Sequence, residues 1–223
     1  MLAVIAAGGE VPEAGDAFRR RLFGSADLVV AADSGLVCCV QHEVWPDVLI
    51  GDLDSAPSAL VDQARARGVE VARYPVDKDA TDLELAIELA VYRGADKLEV
   101  IAPFGARIDH QLANVALLAS DRWSASMVSG HDGVRSLWVV RRSLTLSEPV
   151  GNILTLLPWG GDTIGVTTTG LRWQLSGDEL SHGETRGVSN VCDASSQSIE
   201  IEGGILLIIA DRTLGTRAGT ATG

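Results

Sequence analysis

Over residues 1–131, short apolar runs alternate with segments whose apolar residues recur at helical spacing. This alternation predicts strands and helices in turn, which is typical of an α/β domain built on a parallel sheet. The helix near residues 81–93 is the most clearly marked, because Thr81 and Glu84 fit a capping box ahead of an apolar face. The predicted strands are LAVIAA (2–7), DLVVAAD (27–33), DVLIG (47–51), VEVARY (69–74), KLEVIA (97–102) and ASMVS (125–129). The predicted helices lie near residues 14–23, 34–42, 56–67, 81–93 and 109–121.

From residue 132 onward the helical spacing disappears, and short runs rich in Thr, Val, Gly and Leu replace it. These runs are RSLWVV, ILTLLP, TIGVTTTG, SIEIEG and ILLIIAD, a pattern that predicts an all-β module such as a sandwich or flattened barrel. We therefore expect an α/β domain over residues 1–131 and a β-sandwich domain over residues 132–212. The small and polar residues 213–223 are expected to form a disordered tail.

Composition and charge narrow the classes of partner. The net charge of −12 argues against a nucleic acid or an anionic membrane surface as a partner. No apolar run approaches membrane-spanning length, and the N-terminal run lacks the basic residues of a signal peptide. The cysteines, Cys38, Cys39 and Cys192, are odd in number and form no CxxC pair, which favours a reducing cytoplasm over a disulfide framework.

Polar residues follow the predicted strands at the edge where ligands of parallel sheets bind. The second strand ends at Asp33 and the third at Asp52 and Asp54, while the loops after the fourth and fifth strands carry further charges. Each aspartate alone is explained equally well as a helix N-cap or a solubilising loop residue. Those further charged or polar residues are Asp77, Lys78, Asp79, Thr81 and Asp82 after the fourth strand, and Arg107, Asp109 and His110 after the fifth.

As a set, these residues favour a shared metal and phosphate site. Oxygen ligands without a Cys/His cluster indicate Mg²⁺ or a similar hard ion rather than zinc. A hard ion among carboxylates, with Lys78 and Arg107 beside it, is typical of sites that catalyse phosphoryl-type transfer. The chain has no GxxxxGK[ST] motif and no GxGxxG after a strand, so the common nucleotide-binding loops are absent from the sequence. Gly8-Gly9 offers only a weak phosphate-binding signal, and a lone His110 at a helix start is more often structural.

Six short motifs, in this order, resemble those of the thiamine pyrophosphokinase family across both halves of the chain. In the first half they are Asp33-Ser-Gly, Pro46-Asp47 leading to Gly51-Asp52-Leu53-Asp54-Ser55, Lys78-Asp79-Ala80-Thr81-Asp82, and Gly105-Ala106-Arg107-Ile108-Asp109-His110. In the second half they are Gly170-Leu171-Arg172-Trp173 and Gly187-Val188-Ser189-Asn190. The resemblance implies an α/β catalytic domain followed by a thiamine-binding β-sandwich. It also implies Mg²⁺-dependent transfer of a diphosphoryl group from ATP to thiamine, giving thiamine diphosphate and AMP, in a homodimer with its active site between subunits.

The same resemblance implies roles for individual residues. Asp52, Asp54 and Asp82 would hold the metal, and Trp173, Ser189 and Asn190 would bind thiamine. The ATP-binding residues would be Lys78, Asp79, Thr81, Arg107 and His110. The catalytic residues would be Asp33, Asp54, Asp82, Arg107 and Asp109, with the general base left open between Asp33, Asp54 and Asp109.

Two departures and three alternatives accompany this assignment. Ser34 and Ala106 stand where the family usually has glycine, and each adds an atom close to the expected phosphates. A haloacid-dehalogenase-type phosphatase would use Asp52 as its nucleophile, but would not need the motifs of the second half. A pyrophosphokinase acting on a hydroxymethyl pterin shares the first half only. A catalytically silent nucleotide-binding regulator would be expected to have lost at least one of the acidic or basic site residues.

Overall fold

A computed structural model describes residues 1–9, 11–105 and 107–213 of the chain. It contains two compact units, Met1–Gly133 and the residues from Val134 onward. The departure at Ala106 and the expected tail beyond Thr213 lie outside the described residues. Among the described helices, none is both long and apolar enough to cross a membrane.

The first unit is an α/β domain whose strands are all parallel and lie in the order β6-β5-β1-β2-β3-β4. Every strand and helix predicted for this region occurs, with ends that differ by only a few residues. The strands are β1 (Leu2–Ala6), β2 (Leu28–Ala32), β3 (Val48–Gly51), β4 (Glu70–Arg73), β5 (Lys97–Ile101) and β6 (Met127–His131). The helices are α1 (Asp16–Gly24), α2 (Gly35–Gln41), α3 (Ser58–Ala66), α4 (Asp82–Tyr92) and α5 (Ile108–Leu118).

The strand order reverses beside β1, which pairs with β2 on one side and with β5 on the other. From β1 the chain builds outward through β2, β3 and β4, whereas β5 and β6 extend the sheet in the opposite direction. At such a switch point the connections after the two central strands run to opposite faces, which leaves a crevice at their carboxyl ends. The fold therefore places a ligand-sized opening next to the loops that follow β1 and β5.

The second unit consists of two antiparallel sheets with strand orders β12-β9-β14-β7 and β11-β10-β13-β8. Leu154 and Ile208 of the first sheet and Val166 and Ile199 of the second belong to one buried cluster. Both sheets thus contribute to a single core, which confirms the β-sandwich expected from the sequence. The strands are β7 (Arg135–Val140), β8 (Ser143–Leu146), β9 (Ile153–Pro158), β10 (Thr163–Thr169), β11 (Asp178–Leu180), β12 (Asn190–Val191), β13 (Gln197–Glu200) and β14 (Leu206–Asp211).

Candidate active site

A cleft of about 430 Å³ opens at the switch point of the first unit. Its walls come from the loops after β1, β2, β3 and β5 and from the starts of α4 and α5. Six residues singled out from the sequence line it: Asp33, Asp54, Thr81, Asp82, Arg107 and His110. The structure therefore brings residues from four separate motifs to one opening.

The backbone at the ends of β2 and β3 contains three residues with positive φ. Asp33 and Leu53 have φ of 45° and 64°, which is uncommon for residues with a side chain. Gly51 has φ of 143°, and a Cβ added there would lie 2.9 Å from Asp82 Oδ1 and 3.2 Å from Asp33 Cβ. A glycine before Asp52 is thus required both by the backbone angle and by the close approach of two other acidic residues.

Asp33, Asp52 and Asp82 form a carboxylate cluster in which one oxygen of each lies within 4.8 Å of the others. Oδ1 of Asp33 is buried and has no hydrogen-bond partner among the residues that the structure describes. Burial raises the pKa of Asp33, the nearby charges of Asp82 and Asp52 raise it further, and hydrogen bonds from Ser34 and Ser55 partly oppose the effect. An orphaned oxygen in an all-oxygen cluster fits a small hard cation such as Mg²⁺.

Lys78 supplies the positive charge nearest to this carboxylate cluster. Its Nζ lies 3.2 Å from Asp52 Oδ2 and 3.1 Å from Asp82 Oδ1, although only the contact with Asp52 has good hydrogen-bond alignment. The backbone N–H of Asp54 and the ammonium of Lys78 lower the pKa of Asp52. The like charges are therefore balanced by a side chain of the chain itself.

The two carboxylates of the Asp-Leu-Asp motif differ in exposure and in their contacts. The left-handed Leu53 turns the chain between them, so that Asp52 faces Lys78 while Asp54 is exposed. Oδ1 of Asp54 accepts a hydrogen bond of 2.9 Å from the Ser55 hydroxyl, and Asp54 lines the cleft without joining the carboxylate cluster. Asp33 takes the third place in the cluster that the sequence assigned to Asp54. A metal-binding role for Asp54 stays a prediction.

The loop before α4 combines a structural role with a position at the cleft. Thr81 caps the helix, because its Oγ1 accepts a hydrogen bond of 3.2 Å from the backbone N–H of Glu84. This cap fixes the first turn of α4 and so places Asp82 beside the end of β3. Asp79 is exposed and does not line the cleft, and its contact with nucleotide stays a prediction.

Arg107 lies at the cleft, just before α5, as part of an exposed ion pair. Its Nε and Nη2 donate to Asp109 Oδ1 and Oδ2 at 3.2 and 2.5 Å. The Arg107 guanidinium lowers the pKa of Asp109 to about 2. A guanidinium that binds one carboxylate with two donors presents the same fork to a phosphate, so bound phosphate would compete with Asp109 for it.

The second unit has a pocket of its own, of about 530 Å³. Trp173 lines this pocket and is 58% exposed, far more than a core tryptophan. The guanidinium of Arg172 lies 5.8 Å from the centre of the indole ring. Leu156, Leu175, Arg186, Val188 and Asn190 line the same pocket.

Asn190 holds the backbone of Trp173 in place. Its Oδ1 accepts hydrogen bonds from the N–H groups of Trp173 and Val191 at 3.1 and 2.8 Å, and its Nδ2 donates to the Trp173 carbonyl at 2.7 Å. Asn190 is buried, whereas its neighbour Ser189 is exposed with φ of 61°. The geometry thus gives Asn190 a positioning role, and direct contact of Ser189 or Asn190 with a ligand stays a prediction.

Several residues that line the two sites have only a weak signal in the sequence, or none. Gly9 packs so closely that an added Cβ would lie 2.3 Å from the carbonyl oxygens of both Ala102 and Phe104. Asn114 lines the cleft with Arg107 and His110, and the spacing of three and then four residues, from the position before α5 into that helix, is a helical signal that predicts a shared face. Arg186 in the second unit carries no comparable signal, although it directly precedes the Gly187-Val188-Ser189-Asn190 motif.

Comparisons with known proteins agree across both units. A family model described as "Thiamin pyrophosphokinase, catalytic domain" matches residues 19–128, and one described as "Thiamin pyrophosphokinase, vitamin B1 binding domain" matches residues 143–206. The thiamine pyrophosphokinase of Bacillus subtilis (strain 168) is 25% identical over 189 residues, covering 82% of this chain and 86% of the relative. Thiamine pyrophosphokinase 1 of Oryza sativa subsp. japonica is 25% identical over 209 residues, covering 88% and 77%. A crystal structure of thiamine pyrophosphokinase from Geobacillus thermodenitrificans superposes with a TM-score of 0.79 at 26% identity, covering 95% of this chain and 97% of that one.

Proposed function

Because the chain belongs to the thiamine pyrophosphokinase family, whose members are transferases, we propose that it transfers a diphosphoryl group from ATP to the hydroxyethyl oxygen of thiamine. The products are thiamine diphosphate and AMP. The observation that carries the proposal is the cleft at the switch point, which Asp33, Asp82 and Arg107 line, together with Lys78, which pairs with Asp82 and with Asp52 of the same carboxylate cluster. Such a site suits a polyphosphate better than a neutral ligand, provided that a cation balances the carboxylates.

Mg²⁺ is the cation that we assign to this site. Asp52 and Asp82 would hold it together with Asp33, whose buried orphan oxygen offers a ligand, and Asp54 would approach from the rim. A bound Mg²⁺ supplies positive charge that stabilises the negative charge of the phosphates during transfer.

The chain's own cations and backbone would orient the triphosphate. The guanidinium of Arg107 can exchange Asp109 for phosphate oxygens, and its planar fork fixes their direction. The close-packed Gly8-Gly9 turn allows a phosphate to approach the backbone. His110 and Thr81 lie at the same opening and complete the nucleotide-binding set that we propose.

A carboxylate would accept the proton of the attacking hydroxyl. Pairing with Arg107 lowers the pKa of Asp109 to about 2 and makes it a poor base until phosphate replaces it on the guanidinium. Asp33 has a raised pKa and Asp54 an exposed position on the cleft. The proton acceptor is therefore Asp33 or Asp54, or Asp109 once it is released from Arg107, in this proposal.

Thiamine would bind in the pocket of the second unit. An exposed indole attracts both an aromatic pyrimidine and a cationic thiazolium, by stacking and by cation–π interaction. The positive charge of Arg186 in the same pocket is balanced by Asp178, at 2.6 Å, so it does not oppose a cationic ligand unscreened. Trp173 is the residue to which we assign most of the thiamine affinity.

We include in the proposal a homodimer in the cytoplasm. The dimer rests on the resemblance of the motifs, and the cytoplasm rests on the three free and buried cysteines. Sedimentation equilibrium tests the dimer. If one chain's cleft works with the other chain's pocket, a heterodimer of Asp82→Asn and Trp173→Ala subunits is more active than either homodimer at a thiamine concentration near the parent's KM, and a heterodimer without such recovery contradicts a shared site.

The reaction is tested by incubating the protein with ATP, Mg²⁺ and thiamine and identifying both products by chromatography. Equal amounts of AMP and thiamine diphosphate support the proposal. ADP with thiamine monophosphate indicates a simple kinase, and thiamine-independent release of phosphate indicates the phosphatase alternative. Replacing thiamine by a hydroxymethyl pterin tests the remaining pyrophosphokinase alternative.

A further inference from the structure

The ammonium group of Lys78 contacts two of the three carboxylates that would hold a metal ion. Its Nζ contacts Asp52 Oδ2 and Asp82 Oδ1 at 3.2 and 3.1 Å, and the backbone carbonyl of Pro75 accepts a hydrogen bond of 3.2 Å. The side chains of Lys78, Asp52 and Asp82 are 13%, 12% and 23% exposed, so little water lies between the charges. This is the arrangement of a built-in counterion rather than of a surface ion pair.

A divalent cation and this ammonium group cannot both occupy the space between Asp52 and Asp82. The two carboxylates are shared, and two positive centres only a few ångströms apart repel each other strongly at low water content. Binding of the metal therefore requires Lys78 to leave. The flexible four-carbon stem of lysine permits such a movement without a change in the backbone.

Resting on the proposed function, we propose that Lys78 and Mg²⁺ compete for Asp52 and Asp82, and that the displaced Lys78 then binds the phosphates of the nucleotide. Each event favours the other: the metal frees the lysine for the phosphates, and the phosphates remove the lysine from the metal site. Metal and nucleotide binding are thereby coupled, and by linkage the coupling is the same whichever ligand binds first.

A second consequence concerns the protein without metal. Lys78 holds the carboxylate cluster together when no divalent cation is present, so its removal leaves like charges without a partner. The stability of a variant without this ammonium group should then depend on Mg²⁺ far more than the stability of the parent does.

Isothermal titration calorimetry of Lys78→Met tests the competition. Mg²⁺ is titrated with and without α,β-methylene-ATP, a nucleotide whose diphosphoryl group cannot be transferred. Without nucleotide, Lys78→Met should bind Mg²⁺ about tenfold more tightly than the parent, because no ammonium has to be displaced. The gain in Mg²⁺ affinity that the nucleotide causes should shrink by a similar factor.

Lys97→Met is the matched control, because Lys97 also pairs with a carboxylate, Glu99 at 2.8 Å, but at the amino end of β5, away from the cleft. It makes the same change in net charge and should keep the parent's Mg²⁺ affinity and coupling. Lys78→Gln, which keeps a hydrogen-bond donor without the charge, is a second variant that should behave as Lys78→Met does. Without Mg²⁺, the midpoint of thermal unfolding should be lower for Lys78→Met and Lys78→Gln than for the parent. With Mg²⁺, the midpoint of both Lys78 variants should return towards the parent's value.

Parental Mg²⁺ affinity and coupling in both Lys78 variants overturn this inference and leave the proposed reaction untouched. An equal change in Lys97→Met overturns it too, since the effect would then come from net charge alone. A parent that binds no Mg²⁺, with or without the nucleotide, overturns the inference and the proposed function together.

Discussion

The cleft of the first unit and the pocket of the second are built by different physical means. In the cleft, a parallel sheet brings like charges to one edge, and Lys78 or a metal must balance them. In the pocket, the backbone of Trp173, whose indole is exposed, is held by hydrogen bonds with the Asn190 side chain. The first site is thus governed by electrostatics and the second by shape and orientation. Loss of a charge in the cleft should therefore cost more activity than loss of any single contact in the pocket.

Asp82→Asn should give the largest effect. Removing one charge of the carboxylate cluster should lower kcat about a thousandfold, because charge stabilisation in the transition state depends on it. The rate of AMP formation at saturating substrates and Mg²⁺ measures the effect, and circular dichroism verifies the fold. Asp62→Asn removes an exposed carboxylate on α3 and should leave kcat unchanged. A kcat of Asp82→Asn within tenfold of the parent's value would contradict the claim that electrostatics governs the cleft.

Trp173→Ala should have the second largest effect, and this effect should fall on the KM for thiamine. We expect the KM for thiamine to rise about 10- to 100-fold through loss of the cation–π and stacking surface. The KM for ATP should stay near the parent's value, and Trp173→Phe should fall between the two. Steady-state kinetics with each substrate varied in turn measures the split. An equal rise of both KM values would remove the distinction between the two sites.

Arg107→Lys sharpens the comparison, because it keeps the charge and changes only its geometry. We expect kcat/KM for ATP to fall about tenfold, since an ammonium group cannot reproduce the two-donor fork of a guanidinium. Arg65→Lys, an exposed ion-paired position on α3, is the matched control and should have no effect. A parental kcat/KM in Arg107→Lys would show that charge without direction suffices at this position.

Asn190→Asp should have the smallest effect. The carboxylate still accepts from the N–H groups of Trp173 and Val191 but no longer donates to the Trp173 carbonyl. We expect the KM for thiamine to rise about threefold to tenfold with kcat nearly unchanged, in line with the roughly 0.5–1.5 kcal/mol net contribution of one hydrogen bond. Asn190→Ala removes all three hydrogen bonds and should give the greater change. If neither variant shifts the KM for thiamine, the positioning role of Asn190 is wrong.

The same difference explains how far the sequence could predict each site. Parallel topology carries the ends of all strands to one edge, so Asp33, Asp82 and Arg107 were expected near one another from strand positions alone. The division of labour between Asp52 and Asp54 was not predictable, because it depends on the left-handed backbone of Leu53. Gly51 marked that turn in the sequence, but the carboxylate that approaches it comes from a helix some 30 residues further along the chain.

In the second unit the sequence predicted the sheets better than the pocket. Alternating apolar residues identify the strands of a sandwich, whereas the contact between Asn190 and Trp173 joins the first residue of the short strand β12 to an irregular segment 17 residues earlier. Trp173 was recognised from its motif, and Arg186 was not, because an ion-paired arginine in a turn has no periodic signal. Side-chain to backbone hydrogen bonds of this kind become visible only in the folded structure.

Calorimetry is the most direct test of the assignment of nucleotide to the cleft and thiamine to the pocket, because it measures the binding of each ligand separately. Mg²⁺ with α,β-methylene-ATP, and separately thiamine, are titrated into the parent, Asp82→Asn and Trp173→Ala. We expect Asp82→Asn to bind the nucleotide more weakly and thiamine as the parent does, and Trp173→Ala to bind thiamine about 10- to 100-fold more weakly and the nucleotide as the parent does. Loss of nucleotide binding in folded Trp173→Ala with thiamine binding retained, or loss of thiamine binding in folded Asp82→Asn with nucleotide binding retained, would contradict the assignment.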